Sequence, residues 1–151
     1  MTSQTFHPGL NRRTLVTGAA ALGAFQLASP FIISARGETA IRIGMVNPLT
    51  GVYAAQAGNE VMGAQLAVEQ INARGGILGR QVELLVEDSA NDVGTGVQKA
   101  RKLIERDQVV FLIGDVNSGI AQAIAQVTNE KKVLHVVSGG HTDTITGSDC
   151  K

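Results

Sequence analysis

Hydrophobic positions switch repeatedly between two periods from Ile41 onward. Ile41, Ile43 and Met45 alternate with other residues, the period of a strand. Val61, Ala64, Val68 and Ile71 then recur at three and four residues, which predicts a helix with one buried stripe. The glycines of segment 72–76 supply its stop, because glycine takes the left-handed conformation that ends helices. Val82, Leu84 and Val86 predict a second strand. Val93, Val97, Ala100 and Ile104 predict a second helix, with Asn91 or Asp92 as its cap and Gly94 and Gly96 weakening its first turn. Residues 109–113 are continuously apolar, as in a strand covered on both faces. Ile120, Ile124 and Val127 mark a third helix capped by Asn117 or Ser118, and residues 133–137 predict a fourth strand.

Strands that alternate with helices imply an α/β fold with a doubly wound parallel sheet. Such sheets bind ligands outside the carboxyl ends of their strands. That rule directs attention to the loops at 47–58, 88–92, 114–119 and 138–143. The fourth strand is followed by a polar stretch and no further helix, so the expectation is an incomplete lobe.

Residues 1–37 follow a different pattern. A polar start with Arg12 and Arg13 precedes a moderately apolar run at 15–28, and Ala35 and Gly37 place small residues before Glu38. Basic, apolar, small-residue order is the pattern of an export signal. The run 11–16 further resembles a twin-arginine motif, which implies the twin-arginine export machinery as a partner. Gln26, Ser29 and Pro30 interrupt the apolar run before it reaches the ~20 residues of a membrane span. The expected division is therefore an export signal over 1–37 and a soluble, periplasmic ligand-binding segment over 38–151.

Composition narrows the function. Three of the 13 Lys and Arg residues precede Glu38, so the remaining segment carries a small acidic excess although the whole chain is neutral. Aromatics make up 3% of residues. Neither property suits nucleic acid, which calls for basic patches and stacking platforms. Cys150 is the single cysteine; it forms no internal disulfide and leaves pairing with a cysteine elsewhere open.

Two loops carry the candidate binding chemistry. Asn117 and Ser118 open the third helix, where free N–H groups and a small hydroxyl suit a carboxylate; both residues equally suit an ordinary cap. After the fourth strand, Gly139 and Gly140 let a ligand approach the backbone, and Thr142 offers a donor and an acceptor; a plain surface loop has the same composition. His141 with Asp143 lacks a third ligand for a metal and a nucleophile for catalysis. His135 lies within an apolar strand, as a core or edge histidine does. Gly94 and Gly96 begin a dinucleotide fingerprint, but Lys99 occupies the third glycine position. No phosphate loop or nucleophile elbow is present, so no enzyme chemistry and no cofactor are expected.

Residues 44–51, Gly63 with Ala64, the turn INARGGILGR, VEDSAND, FLIGD and the SGG loop together resemble the leucine/isoleucine/valine-binding family of type I periplasmic binding proteins. The similarity runs from about residue 40 to the end. It implies a two-lobed binder that closes on a solute and hands it to the permease subunits of an ATP-driven (ABC) importer. It also implies roles by position: Ser118 on the ligand carboxylate, Thr142 on its polar head, Gly140 through its backbone, and Gln56 with Tyr53 over the side chain. His141 stands where a small residue is usual, a departure from a simple aliphatic amino-acid site. The family's acidic and aromatic partners for an amino group belong to the second lobe. Amide, urea or aromatic-acid binding on the same fold is the alternative within binders, and a small secreted flavodoxin-like enzyme the alternative outside them.

Overall fold

The computed structural model describes residues 39–148. Strands β1 (Ile41–Asn47), β2 (Val82–Asp88), β3 (Phe111–Ile113) and β4 (Leu134–Val136) alternate with helices α1 (Ala54–Ala73), α2 (Val93–Arg101) and α3 (Ser118–Lys131). The strands form one sheet in the order β2-β1-β3-β4, and all three pairings are parallel. Every strand therefore points its carboxyl end toward the same edge. The expected fold class holds.

Strand register explains where the core sits. Gly44 of β1 lies between Leu85 of β2 and Leu112 of β3. On that face Val46 and Leu112 join Ala100, Leu103, Val109, Ile120 and Ile124 in one buried cluster, with Leu85 and Ile104 packed against it. Gly44 is required there: a Cβ on it would lie 2.4 Å from Leu112 Cδ2. Gly96 has the same kind of role. An added Cβ would meet Ile120 Cγ2 at 2.6 Å, so this glycine lets α2 and α3 approach closely. Its expected weakening of the helix start is offset by that packing.

Helix ends follow local chemistry. Asp92, not Asn91, caps α2 by accepting from Thr95 N at 2.7 Å. Asn117, not Ser118, caps α3, accepting from Gly119 N at 2.9 Å and Ile120 N at 3.4 Å. Helix α1 closes through Gly75 and Gly76, both at positive φ. The second helix runs past Arg101 in a π-helical turn (Lys102–Arg106), which leaves Leu103 fully buried and Ile104 half-buried.

Three expectations are corrected. The α1 stripe at Val61, Ala64, Val68 and Ile71 is half-buried, and Ala57 is the helix's buried residue. Helices α2 and α3 pack on each other as well as on the sheet, whereas the main neighbour of α1 is β2. Apolar residues on its outer side, Met62 and Leu66, remain more than half exposed. Strand β3 is shorter than 109–113: Val109 N donates to Leu103 O, and Val110, 52% exposed, donates to Arg42 O. Strand β4 is likewise shorter than 133–137. It pairs with β3 alone and leaves Leu134 exposed, as an edge strand does.

Candidate functional site

The carboxyl ends of β1, β3 and β4 meet around a network of polar groups that runs from the buried Asn47 and Asp115 to the exposed Ser138. Asn47, the last residue of β1, is fully buried. Its Oδ1 accepts from Val116 N at 3.2 Å, and its Nδ2 donates to Glu60 Oε2 at 3.0 Å. Ser138 Oγ donates to the same Glu60 oxygen at 2.7 Å. Beneath Val116, the buried Asp115 accepts from Ser89 Oγ and Asn117 N, both at 2.8 Å. Burial pushes the Asp115 carboxyl above its ordinary range; those two donors pull it down, and the nearby Glu60 charge pushes it up again. At the end of β2, Asp88 accepts from Leu49 N and Ala90 N at 2.8 and 2.7 Å and from Thr50 Oγ1 at 3.0 Å. Burial opposes ionisation of Asp88, but these donors outweigh it and hold the carboxyl below its ordinary range.

On this platform the structure brings five of the seven candidate binding residues together. Asn117 caps α3 and Ser118 is its first residue. Ser118 Oγ accepts from His141 N at 3.0 Å, which joins the α3 start to the loop after β4. Gly140 packs close by; an added Cβ would lie 3.5 Å from Ala121 Cβ. Thr142 Oγ1 accepts from Gln122 Nε2 at 3.4 Å and shares a 2.6 Å hydrogen bond with Thr144 Oγ1. The free amides expected at the α3 start are not free: Asn117 Oδ1 occupies those of Gly119 and Ile120. The Ser118 hydroxyl is the group this helix start offers. Its oxygen accepts from His141 N, and the hydroxyl keeps one proton to donate.

Tyr53 and Gln56 stand apart. They lie at the N-cap and in the first turn of α1, at the same edge of the sheet and both exposed. Among the described residues no hydrogen bond ties either side chain to the α3 or β4 loops. Arg12, Arg13 and Cys150 lie outside the described residues. His135 is half-buried in β4, with Nε2 against Gly114 O and Nδ1 buried without a partner; burial pushes its pKa down. Among the described residues no group of three or more His, Cys, Asp or Glu could hold a metal ion. None of their helices is long and apolar enough to cross a membrane.

A separate cleft of about 420 Å³ runs beside β2, lined by Arg42, Glu83, Glu87, Lys102, Arg106 and Asp107 among others. Its charges pair among themselves: Arg42 with Glu83, Lys102 with Glu87, and Arg106 with Asp107. Burial works against ionised Glu87, yet Lys102 and Lys99 outweigh it and keep its carboxyl low. Each of these charged side chains thus has a partner of opposite sign.

Asn47, Glu60, Ser89 and Asp115 were not singled out by sequence reasoning. Two of them carry a visible signal. Asn47 and Asp115 are polar residues directly at the carboxyl ends of apolar strands, the edge where ligands bind. Glu60 offers none beyond lying next to the α1 stripe.

Comparison with known proteins decides the family. The family model described as "Periplasmic binding protein" matches residues 40–151. The chain belongs to the periplasmic binding protein family. It is 41% identical over 109 residues to the Leu/Ile/Val-binding protein BraC3 of Rhizobium johnstonii, a match covering 72% of this chain and 28% of that protein. The fold resembles the branched-chain amino acid transporter substrate binding protein LivJ of Streptococcus pneumoniae, solved with isoleucine. That match has a TM-score of 0.69 and 29% identity over 72% of this chain and 31% of that one. It also resembles an ABC transporter solute binding protein of R. palustris solved with benzoate, with a TM-score of 0.67 and 27% identity over 74% of this chain and 30% of that one. The chain thus spans less than a third of these relatives' length, and its sheet is part of a type I periplasmic binding-protein lobe.

Proposed function

We propose that the whole protein is the extracytoplasmic solute-binding component of an ABC importer, capturing a small carboxylate-bearing solute between two lobes without chemical change. The hydrogen bond from His141 N to Ser118 Oγ carries this reading. It joins the two loops nearest the expected ligand and uses the Ser118 oxygen as acceptor, which leaves the hydroxyl proton for a carboxylate. Thr142 and the backbone at Gly140 complete the polar head site, and Tyr53 with Gln56 flank the solute's side chain. The relatives support an amino acid first: one is described as binding leucine, isoleucine and valine, and another holds isoleucine. A second reading, an aromatic acid, is favoured by the benzoate-bound relative. Both ligands present a carboxylate. Calorimetry of the whole protein with leucine, isoleucine, valine and benzoate separates the readings: micromolar or tighter binding of one class selects it, and no binding by any of the four refutes the carboxylate site.

Residues 1–37 act as the export signal, and the adjacent Arg12 and Arg13 direct it to the twin-arginine machinery. Replacing both by lysine is expected to leave precursor in the cytoplasm, read by fractionation and immunoblot. Normal export of that variant would remove the twin-arginine route.

A further inference from the structure

Strand order leaves the β1 and β4 loops without a direct connection through the sheet. β3 lies between them, so their ends are two strand spacings apart, about 10 Å. One side chain bridges that gap. Glu60 Oε2 accepts from Asn47 Nδ2 at the end of β1 and from Ser138 Oγ just past β4. Asn47 in turn holds Val116 N, between β3 and α3. The β4 loop also rests on this joint: a Cβ on Gly139 would lie 2.8 Å from Glu60 Oε1 and 2.9 Å from Val116 Cγ1.

The character of Glu60 fits a joint better than a surface charge. Glu83, Glu87, Glu105 and Glu130 all sit in ion pairs. Glu60 is half-buried and has no cation partner among the described residues, while both of its donors are neutral. Hydrogen bonds to an ionised acceptor are shorter and stronger than neutral ones, which suits a fixed spacing.

We propose that Glu60 is a positioning residue that sets the distance between the loop bearing Ser118 and the loop bearing Thr142. The proposal rests on the reading of those loops as the solute's head-group site. Both hydroxyls reach one head group only when the two loops keep their spacing. The β3–β4 pairing stops at Ile113 and Val136 and the His141 N–Ser118 Oγ bond is exposed, so the chain Ser138–Glu60–Asn47–Val116 is a second tie behind that surface contact.

The test uses the whole protein with Glu60→Ala, Glu60→Gln and Ser118→Ala, and reads two quantities. The first is amide hydrogen exchange without solute. Glu60→Ala is expected to speed exchange at residues 116–118 and 138–142 while leaving α2 unchanged. The second is affinity for isoleucine, or for benzoate where that is the ligand bound. Glu60→Ala is expected to weaken it roughly tenfold, about the loss of one hydrogen bond's geometry. Glu60→Gln keeps an oxygen acceptor for both donors and is expected to stay within about threefold of the unsubstituted protein. Ser118→Ala is also expected to cost less in the Glu60→Ala background, because displaced loops already forfeit part of that contact. Unchanged loop exchange in Glu60→Ala, or additive effects of Glu60→Ala and Ser118→Ala on affinity, would overturn the proposal. Failure of the unsubstituted protein to bind either probe counts against the functional reading, and the exchange data then decide the role of Glu60 alone.

Discussion

Leu112→Ala is expected to lower the unfolding free energy of the whole protein by about 2–5 kcal/mol, toward the upper end of that range. Leu112 is fully buried at the centre of β3, between β1 and β4. Its Cδ2 fills the space above Gly44, where a methyl group would sit 2.4 Å away. Leu103, Val109, Ile120 and Ile124 belong to the same cluster. Truncation opens a cavity whose floor is a glycine and whose walls are held by α2 and α3, so little can collapse into it. Urea melts followed by circular dichroism read the change as a lower midpoint at constant slope. Val110→Ala, one residue before the same strand, is the control: Val110 is 52% exposed, and the change should cost within about 0.5 kcal/mol. Adding Gly44→Ala to Leu112→Ala should recover part of the loss, since the new methyl group enters the vacated space. Equal melting midpoints for Leu112→Ala and Val110→Ala would mean that this face is not the main core.

The periodic part of the fold was legible because period encodes burial. The alternation at Ile41, Ile43 and Met45 and the stripe at Ile120, Ile124 and Val127 both mark positions the structure buries or half-buries. Period does not encode how much cover a face receives. The α1 stripe repeats at the same spacing as that of α3, yet α3 packs on a second helix and α1 lies chiefly on β2. Strand ends were misplaced for a related reason. Residues 109 and 110 are as apolar as Leu112, but Val109 N turns back to Leu103 O and only from Val110, which donates to Arg42 O of β1, does the chain reach the sheet, so the strand starts late. Glycine was ambiguous too. Gly94 and Gly96 both weaken a helix start by propensity, and only the approach of Ile120 distinguishes the second.

At the site, loop position was legible and hydrogen-bond allocation was not. The alternation of strands and helices placed Asn117, Ser118, Gly140, His141 and Thr142 at one edge of the sheet. Which of Asn117 and Ser118 caps α3 depends on where the backbone turns helical, and Asn117 is the extended residue before it. The answer matters, because the side chain that does not cap keeps its hydrogen-bonding groups for other partners. Asn47 and Ser138 lie 13 and 78 residues from Glu60 and share one of its carboxylate oxygens. No local pattern carries a contact of that kind.

Ser118→Ala is expected to weaken solute binding by about 1.5–3 kcal/mol, roughly 10- to 150-fold, in the whole protein. The magnitude follows from removing one hydrogen bond to a charged acceptor. The fold should survive, since Asn117 caps α3 and the Gly119 and Ile120 amides keep their acceptor. His141 N loses the Ser118 oxygen, but this bond is exposed and water replaces it. Binding energy and stability should therefore separate: calorimetry shows the affinity loss, while the melting temperature without solute stays within a few degrees. Ser118→Thr keeps a hydroxyl at the same helix position and should retain more affinity than Ser118→Ala. Asn117→Ala should do the opposite of Ser118→Ala. It removes the cap and costs about 1 kcal/mol of stability while sparing the donor to the ligand. Equal affinity of Ser118→Ala and the unsubstituted protein for the bound solute would reduce Ser118 to a loop tether for His141 and move the head-group contact to Thr142 and the backbone at Gly140.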